Sequence, residues 1–339
     1  MSLIKQQGLP VFKQANGFQY PHFWEYYKSH DRLHWTAEEI DLSQDIIDFD
    51  KADDEEKLYI TNIMRLFTQN EIQVGHGYIT MLRIFKPTEV LAMLSNFNAR
   101  EYTHTENYSL FTETIGLGDQ IYTEFLDIPV MSTKCEYLEK AKVKKFEDYK
   151  AVGLSDAEVH KEYRRAIARM LAVYAGATEG ISLMSQFASL LAYQFQNKYP
   201  GLSKIVEFSI KEETMHQLGN SHLFRDYIAE NQDIWDDGLK FDIYEGIREV
   251  VSYEHALIDY LNPSHMNAAD LKKYIEYCGD NALKELGMKP NWNISSNPLP
   301  FMDDVVGTVL QDFFSGRVTE YTKQLQGTWA EVDYSKWRG

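Results

Sequence analysis

Residues 94–111, LSNFNAREYTHTENYSLF, set a carboxylate and an imidazole into an otherwise apolar helical face. Leu94, Phe97, Glu101, His104, Tyr108 and Phe111 follow in steps of three and four, so all six project from one stripe. Three other stretches repeat the anomaly. Ile60, Met64, Phe67, Glu71, Val74 and Tyr78 form one such stripe, Ala172, Ala175, Glu179, Leu183 and Phe187 another, and Val206, Ile210, Glu213 and His216 a third. An ionised carboxylate inside a helical bundle costs several kcal/mol unless it is paired, and converging carboxylates also repel one another. A compensating positive charge is required.

Two divalent cations would cancel the charges of Glu71, Glu101, Glu179 and Glu213 without any lysine or arginine. Glu101–His104 and Glu213–His216 are both E-x-x-H, a spacing that puts carboxylate and imidazole on adjacent turns of one face. Glu71 precedes the first pair by 30 residues (101 − 71) and Glu179 the second by 34 (213 − 179), as in two helix hairpins. This is the ligand inventory of ferritin-like dimetal carboxylate proteins. About one E-x-x-H is expected by chance in such a chain, and any single glutamate could instead pair with an arginine at the surface. The weight lies in the set and its order. His76, His160, His222, His255 and His265 read as surface or satisfied core residues.

The 339 residues are 44% hydrophobic and 25% charged, enough for a large core in one large domain or two average ones. Helical periodicity dominates from about residue 36, with patterns over 53–84, 87–115, 155–197, 202–230, 239–261, 268–286 and 302–325. Pro87, Pro200, Pro263, Pro290 and Pro298 punctuate them. The expectation is an all-α, ferritin-like helical bundle in a single domain over 1–339. Residues 1–30, aromatic and holding Pro10 and Pro21, read as an irregular N-terminal arm. A helix start follows at Thr36, with Glu38 and Glu39 in its first turn. The segment 116–153 is mixed, with one short helix and a lysine-rich solvated face around 140–145. The tail 326–339 lacks apolar periodicity and is expected to be flexible until a partner orders it.

The formal charge of −17 argues against a nucleic-acid-binding surface. Cys135 and Cys278 show no metal or disulfide spacing, which suits a reducing cytoplasm. No apolar run reaches the roughly 18 residues a membrane span needs, and residues 1–20 lack a signal-peptide core, so neither a membrane protein nor a secreted one is expected.

At this point the motifs resemble a known family, the small subunit of class I ribonucleotide reductase. The likeness runs from Trp35 through nearly the whole chain. It rests on HWTAEEIDLSQD (34–45), EYTHTENYS (101–109), KEETMH (211–216), NPLPFMDD (297–304) and FFSGRVTEY (313–321). The resemblance implies metal ligands at Glu71, Glu101, His104, Glu179, Glu213 and His216, and the radical position at Tyr108. It also implies that Trp35 connects to the metal site through Glu212 and His104 in a radical-transfer route. Two departures stand out. The first ligand, usually aspartate, is Glu71, as in the subgroup using a manganese–iron pair; that subgroup carries phenylalanine where this chain keeps Tyr108. Some dimanganese members keep the tyrosine without oxidising it. The residue before the second motif's glutamate, usually aspartate, is Glu212, whose extra methylene alters the reach toward Trp35.

The implied cofactor is a dinuclear centre of two iron ions, with manganese–iron or two manganese ions as alternatives. The implied chemistry is oxidation of Tyr108, or storage of the oxidant on the metals, followed by transfer to a large catalytic subunit that reduces ribonucleotides to deoxyribonucleotides. A homodimer is implied as well. Trp329, Tyr334 and Trp337 lie in the tail, where the family docks on the large subunit, and Tyr334 is the candidate for handing the radical across. No glycine-rich phosphate loop or basic pocket is legible, so nucleotide substrate is not expected to bind this chain. The rival enzyme is a ferritin-like dimetal oxidase or monooxygenase, and the rival non-enzyme is an iron-storage protein.

Overall fold

The computed structural model describes residues 2–5 and 17–307. The motif at 313–321, Trp329, Tyr334, Trp337 and the tail 326–339 lie outside them, as does most of the pattern 302–325, of which 302–307 are described and helical. The architecture is all-α, and no strand occurs among the described residues.

The chain runs through α1 (Pro21–Asp31), a 3₁₀ turn (Ala37–Glu39), α2 (Ser43–Lys51), α3 (Asp54–Ile84) and α4 (Thr88–Thr114). Then come α5 (Ile121–Glu124), α6 (Pro129–Ala141), α7 (Asp156–Ala172), a π turn (Val173–Thr178) and α8 (Met184–Leu191). Last are α9 (Pro200–Glu230), α10 (Asp237–Leu261) and α11 (Ala268–Glu285). The starts follow local chemistry. Asp53 accepts the Glu56 N–H at 2.9 Å, Ser155 and Glu158 close a capping box, Asp236 accepts the Leu239 N–H, and prolines open α1, α6 and α9. α3 and α4 pack against each other along their lengths as a hairpin, and α9 lies against α4, α7, α8 and the π turn. The metal-site stripes of these elements therefore face one interior.

Five expectations need correction. Residues 21–31 are helix α1 rather than part of an irregular arm: Pro21 occupies a first-turn position that tolerates proline, and Phe23, Tyr26 and His30 bury one face. The pattern 155–197 is not one helix. It breaks through the π turn, an irregular stretch in which Leu183 is left-handed at φ 70°, and a 3₁₀ end at Ala192–Gln196. The segment 116–153 holds α5, α6 and 3₁₀ turns rather than one short helix, and the start at Thr36 gives only a single 3₁₀ turn before α2. The lysine-rich stretch borders a cavity of roughly 350 Å³ with Lys140, Lys142, Lys144 and Arg169 on its walls, so a basic-lined pocket does exist. Lys140, Lys142 and Arg169 are each paired, with Glu136, Glu139 and Asp242.

Gly77 is required by close approach. A Cβ there would fall 1.9 Å from the Tyr174 ring, so α3 and the π turn can meet only over a glycine.

Candidate metal centre

α3 supplies Glu71, α4 Glu101 and His104, the end of the π turn Glu179, and α9 Glu213 and His216, all 4% exposed or less. They fall into two overlapping groups. Glu71, Glu101, His104 and Glu213 form one and Glu101, Glu179, Glu213 and His216 the other, with one donor atom per residue inside 4.8 Å of the rest. Glu101 and Glu213 belong to both groups, so each would be in reach of either of two ions.

Both imidazoles turn Nδ1 inward. His104 Nδ1 lies 3.0 Å from Glu213 Oε1 and 3.7 Å from Glu101 Oε2. His216 Nδ1 lies 3.0 Å from Glu101 Oε1 and 3.0 Å from Glu213 Oε2. Glu71 Oε1, both Glu101 oxygens, His104 Nδ1 and Glu213 Oε1 are buried with no hydrogen-bond partner among the described residues, so the 3.0 Å approach of His104 to Glu213 is proximity without alignment. Inward donors that satisfy no protein group fit a pair of cations.

The electrostatics say the same. Burial, then the Glu213 carboxylate, pushes both Glu71 and Glu179 well above the usual carboxylate range. Burial opposes ionisation of Glu213 too, but His216 and His104 draw it well below. Burial likewise works against charge on His104 and His216, and the carboxylates, Glu213 foremost, carry both well above the usual histidine range. Without metal the cluster holds protons where cations would sit.

The outward ring nitrogens have their own partners. His104 Nε2 is 2.8 Å from Glu212 Oε2, and Glu212 Oε1 accepts from Arg100 Nε at 2.7 Å. Burial opposes this charge on Glu212, but His104 and then Arg100 bring its pKa to about 2. The expected link from Glu212 to Trp35 is not a direct bond. Arg100 stands between them, donating to the Trp35 carbonyl oxygen at 3.2 Å with its guanidinium 5.5 Å from the indole centroid, while Trp35 Nε1 is buried without a partner. Trp35 meets His104 through ring stacking, with centroids 6.2 Å apart. On the other side His216 Nε2 lies 3.0 Å from His30 Nε2, and His30 Nδ1 2.5 Å from Asn96 Oδ1.

Tyr108 is fully buried, donates its hydroxyl to Ser209 Oγ at 2.9 Å and packs on Phe67 at 4.8 Å between ring centroids. Tyr78, which its sequence stripe marked only as a core residue, donates to the Glu179 carboxylate and accepts from Asn220 Nδ2 at 2.9 Å. Arg100, His30 and Tyr78 escaped sequence reasoning because each gains its role from contact with a distant helix. Tyr334 lies outside the described residues.

The small-chain model of ribonucleotide reductase matches residues 13–298. A probable ribonucleoside-diphosphate reductase small subunit of Invertebrate iridescent virus 6 is 32% identical, over 98% of this chain and 99% of its own length. In fold, the chain resembles the ribonucleotide reductase R2 subunit from Clostridium botulinum, with a TM-score of 0.75 at 19% identity over 90% of this chain and 99% of that one. It also resembles an R2-like ligand-binding oxidase reconstituted with a Mn/Fe cofactor, with a TM-score of 0.63 at 18% identity over 84% of this chain and 100% of that one. With a dinuclear metal centre in an all-helical fold, the chain belongs to the small-chain family of ribonucleotide reductase, as the small subunit of a ribonucleoside-diphosphate reductase.

Proposed function

We propose that Glu71, Glu101, His104, Glu179, Glu213 and His216 hold two iron ions, and that Tyr108 stores the resulting oxidising equivalent as a neutral radical. The equivalent is passed to a large catalytic subunit, which reduces ribonucleotides to deoxyribonucleotides. The observation that carries this reading is the pair of overlapping donor groups sharing Glu101 and Glu213, with Tyr108 one helical turn beyond His104 on α4. Carboxylate and imidazole donors accept iron and manganese alike. The tyrosine at position 108 favours iron, because the manganese–iron subgroup that shares Glu71 carries phenylalanine there. A bound redox-active pair supplies the oxidising power.

The chain's own residues decide where that power rests. Burial, then the neighbouring Glu71 carboxyl, raises the Tyr108 pKa well above the usual range, so the phenol is neutral and tyrosinate is disfavoured. Loss of an electron together with the hydroxyl proton leaves no net charge in this apolar surround, which makes a neutral radical the tolerated product. Arg100 and His104 both hold Glu212, so that His104 presents Nδ1 inward and Nε2–H outward. Docking on the large subunit through the tail and Tyr334, assembly as a homodimer and a cytoplasmic setting complete the proposal.

The test is metal analysis and low-temperature EPR of Tyr108→Phe, with turnover measured alongside a large reductase subunit. Both metals are expected to remain, while the tyrosyl signal and nearly all turnover disappear. Tyr78→Phe should keep the signal. Substantial turnover in Tyr108→Phe refutes storage on that residue, and oxidation of a small organic substrate without the large subunit turns the reading to an oxidase.

A further inference from the structure

Where the start of α1 meets α9, a smaller group of donors lies outside the centre just described. His22, in the first turn of α1, places Nε2 2.7 Å from Asp226 Oδ2 on α9. His222, one turn before Asp226, stacks on His22 with centroids 4.0 Å apart and planes 14° from parallel. One donor atom from each of the three residues lies within 4.8 Å of the others. Phe23 closes on His22 at 4.2 Å between centroids, and Tyr26 meets His222 edge-on at 6.0 Å, so the imidazoles have an aromatic wall behind them.

We propose that His22, His222 and Asp226 form a second, peripheral metal site that takes one first-row divalent ion of the zinc type and staples α1 to α9.

The donor set selects the ion. Two imidazoles and one carboxylate suit zinc and its neighbours, whereas calcium and magnesium prefer oxygen donors throughout. His222 is available as a neutral ligand: burial, then the neighbouring His22, lowers its pKa to about 4. Among the described residues neither of its ring nitrogens has a hydrogen-bond partner, although its ring is packed on three sides. Bond lengths near 2.1 Å place tetrahedral donors about 3.4 Å apart, so the two rings must rotate out of their stack to converge. Partial exposure permits this, with the His22 and Asp226 side chains 33% and 26% accessible, and it leaves room for water as a fourth ligand. Both helices also serve the buried centre. Eight residues along α1 from His22, His30 contacts His216, so an ion at the periphery would hold in place the helix that supports one imidazole of the centre.

The experiment uses the full chain with its dinuclear centre filled, equilibrated against buffered zinc and then assayed for metals per chain. One zinc beyond the dinuclear pair is expected. His222→Ala and Asp226→Asn should each lose that zinc while keeping the dinuclear metals and the EPR signal of the intact protein. Cobalt in place of zinc should give visible d–d bands that vanish in both variants. No additional zinc in the intact chain, or equal additional zinc in both variants, overturns the site. If either variant fails to hold the dinuclear pair, His22→Gln supplies the same comparison from α1, and retention of the additional zinc there overturns the site equally.

Discussion

Loading the metal-free protein with two divalent ions should expel about four protons per chain. The count follows from the directions of the shifts. His104 and His216, held protonated well above the usual range, lose one proton each on ligation, and Glu71 and Glu179, held neutral by burial and by Glu213, lose one each. Glu213, drawn well below its usual range, has none to give. Four charges arrive on the ions and four leave as protons, so the buried site exchanges one form of positive charge for another. The sign is fixed: metal affinity rises with pH, by up to about tenfold per pH unit for each proton released, until the raised pKa values are passed. The metal-free fold should show the mirror image. Its raised carboxyl groups keep protons that the unfolded chain sheds above about pH 4.5, and its raised histidines keep those shed above about 6.5. Apoprotein stability therefore falls as pH climbs from about 5 to 8, by up to about 1.4 kcal/mol per pH unit for each such proton. Glu212 and Glu213 act in the opposite sense, but only below about pH 4.5. The assay is anaerobic calorimetric titration of apoprotein with iron(II) in two buffers of different ionisation enthalpy, near neutral pH. Release of one proton or none would refute the argument that protons stand in for the ions.

Glu101→Ala should reduce both metals, because Glu101 belongs to both donor groups, whereas Glu71→Ala should spare the ion beside His216; metals per chain separate these outcomes. His216→Ala should lose at least one ion, and exposed His160→Ala none. Arg100→Leu leaves Glu212 buried without its guanidinium and should cost about 3 kcal/mol in denaturant unfolding, with Arg100→Lys recovering part of it. Gly77→Ala should destabilise by about 1–3 kcal/mol, through collision with Tyr174, and Tyr174→Leu in the same chain should relieve it; an unchanged melting temperature in the single variant would show that the π turn yields freely.

Most of the centre was legible because burial and charge conflict visibly. Glutamates on the apolar stripes of α3, α4 and α9 announce themselves at a spacing of three and four, and the structure gathers those stripes at one place. The same logic failed where apolar periodicity survives a change of helix type. The pattern 155–197 keeps buried side chains at nearly every position from Ala166 to Tyr193, so nothing in it marks the π turn or the left-handed Leu183. α1 was hidden for another reason: Pro21 and a run of aromatics read as irregular, although proline in a first turn is a helix signal. The link through Arg100 was illegible in principle. It joins residues 35, 100 and 212, and only the assembled fold shows that the guanidinium, rather than the indole N–H, reaches the carboxylate.

The π turn has a consequence for length variation along the chain. Glu179 N bonds Tyr174 O at 3.3 Å and Ser182 N bonds Ala177 O at 3.0 Å, each five residues apart. Such a turn houses one residue more than an α-turn while advancing nearly the same angle, so Val173–Thr178 is a place where a codon can be dropped with the flanking faces still in phase. A deletion just ahead of Glu71 in α3 or Glu101 in α4 would instead swing that carboxylate by about 100° out of the interior. Natural indels in this scaffold should therefore gather ahead of Glu179 and avoid the runs that precede the other carboxylates.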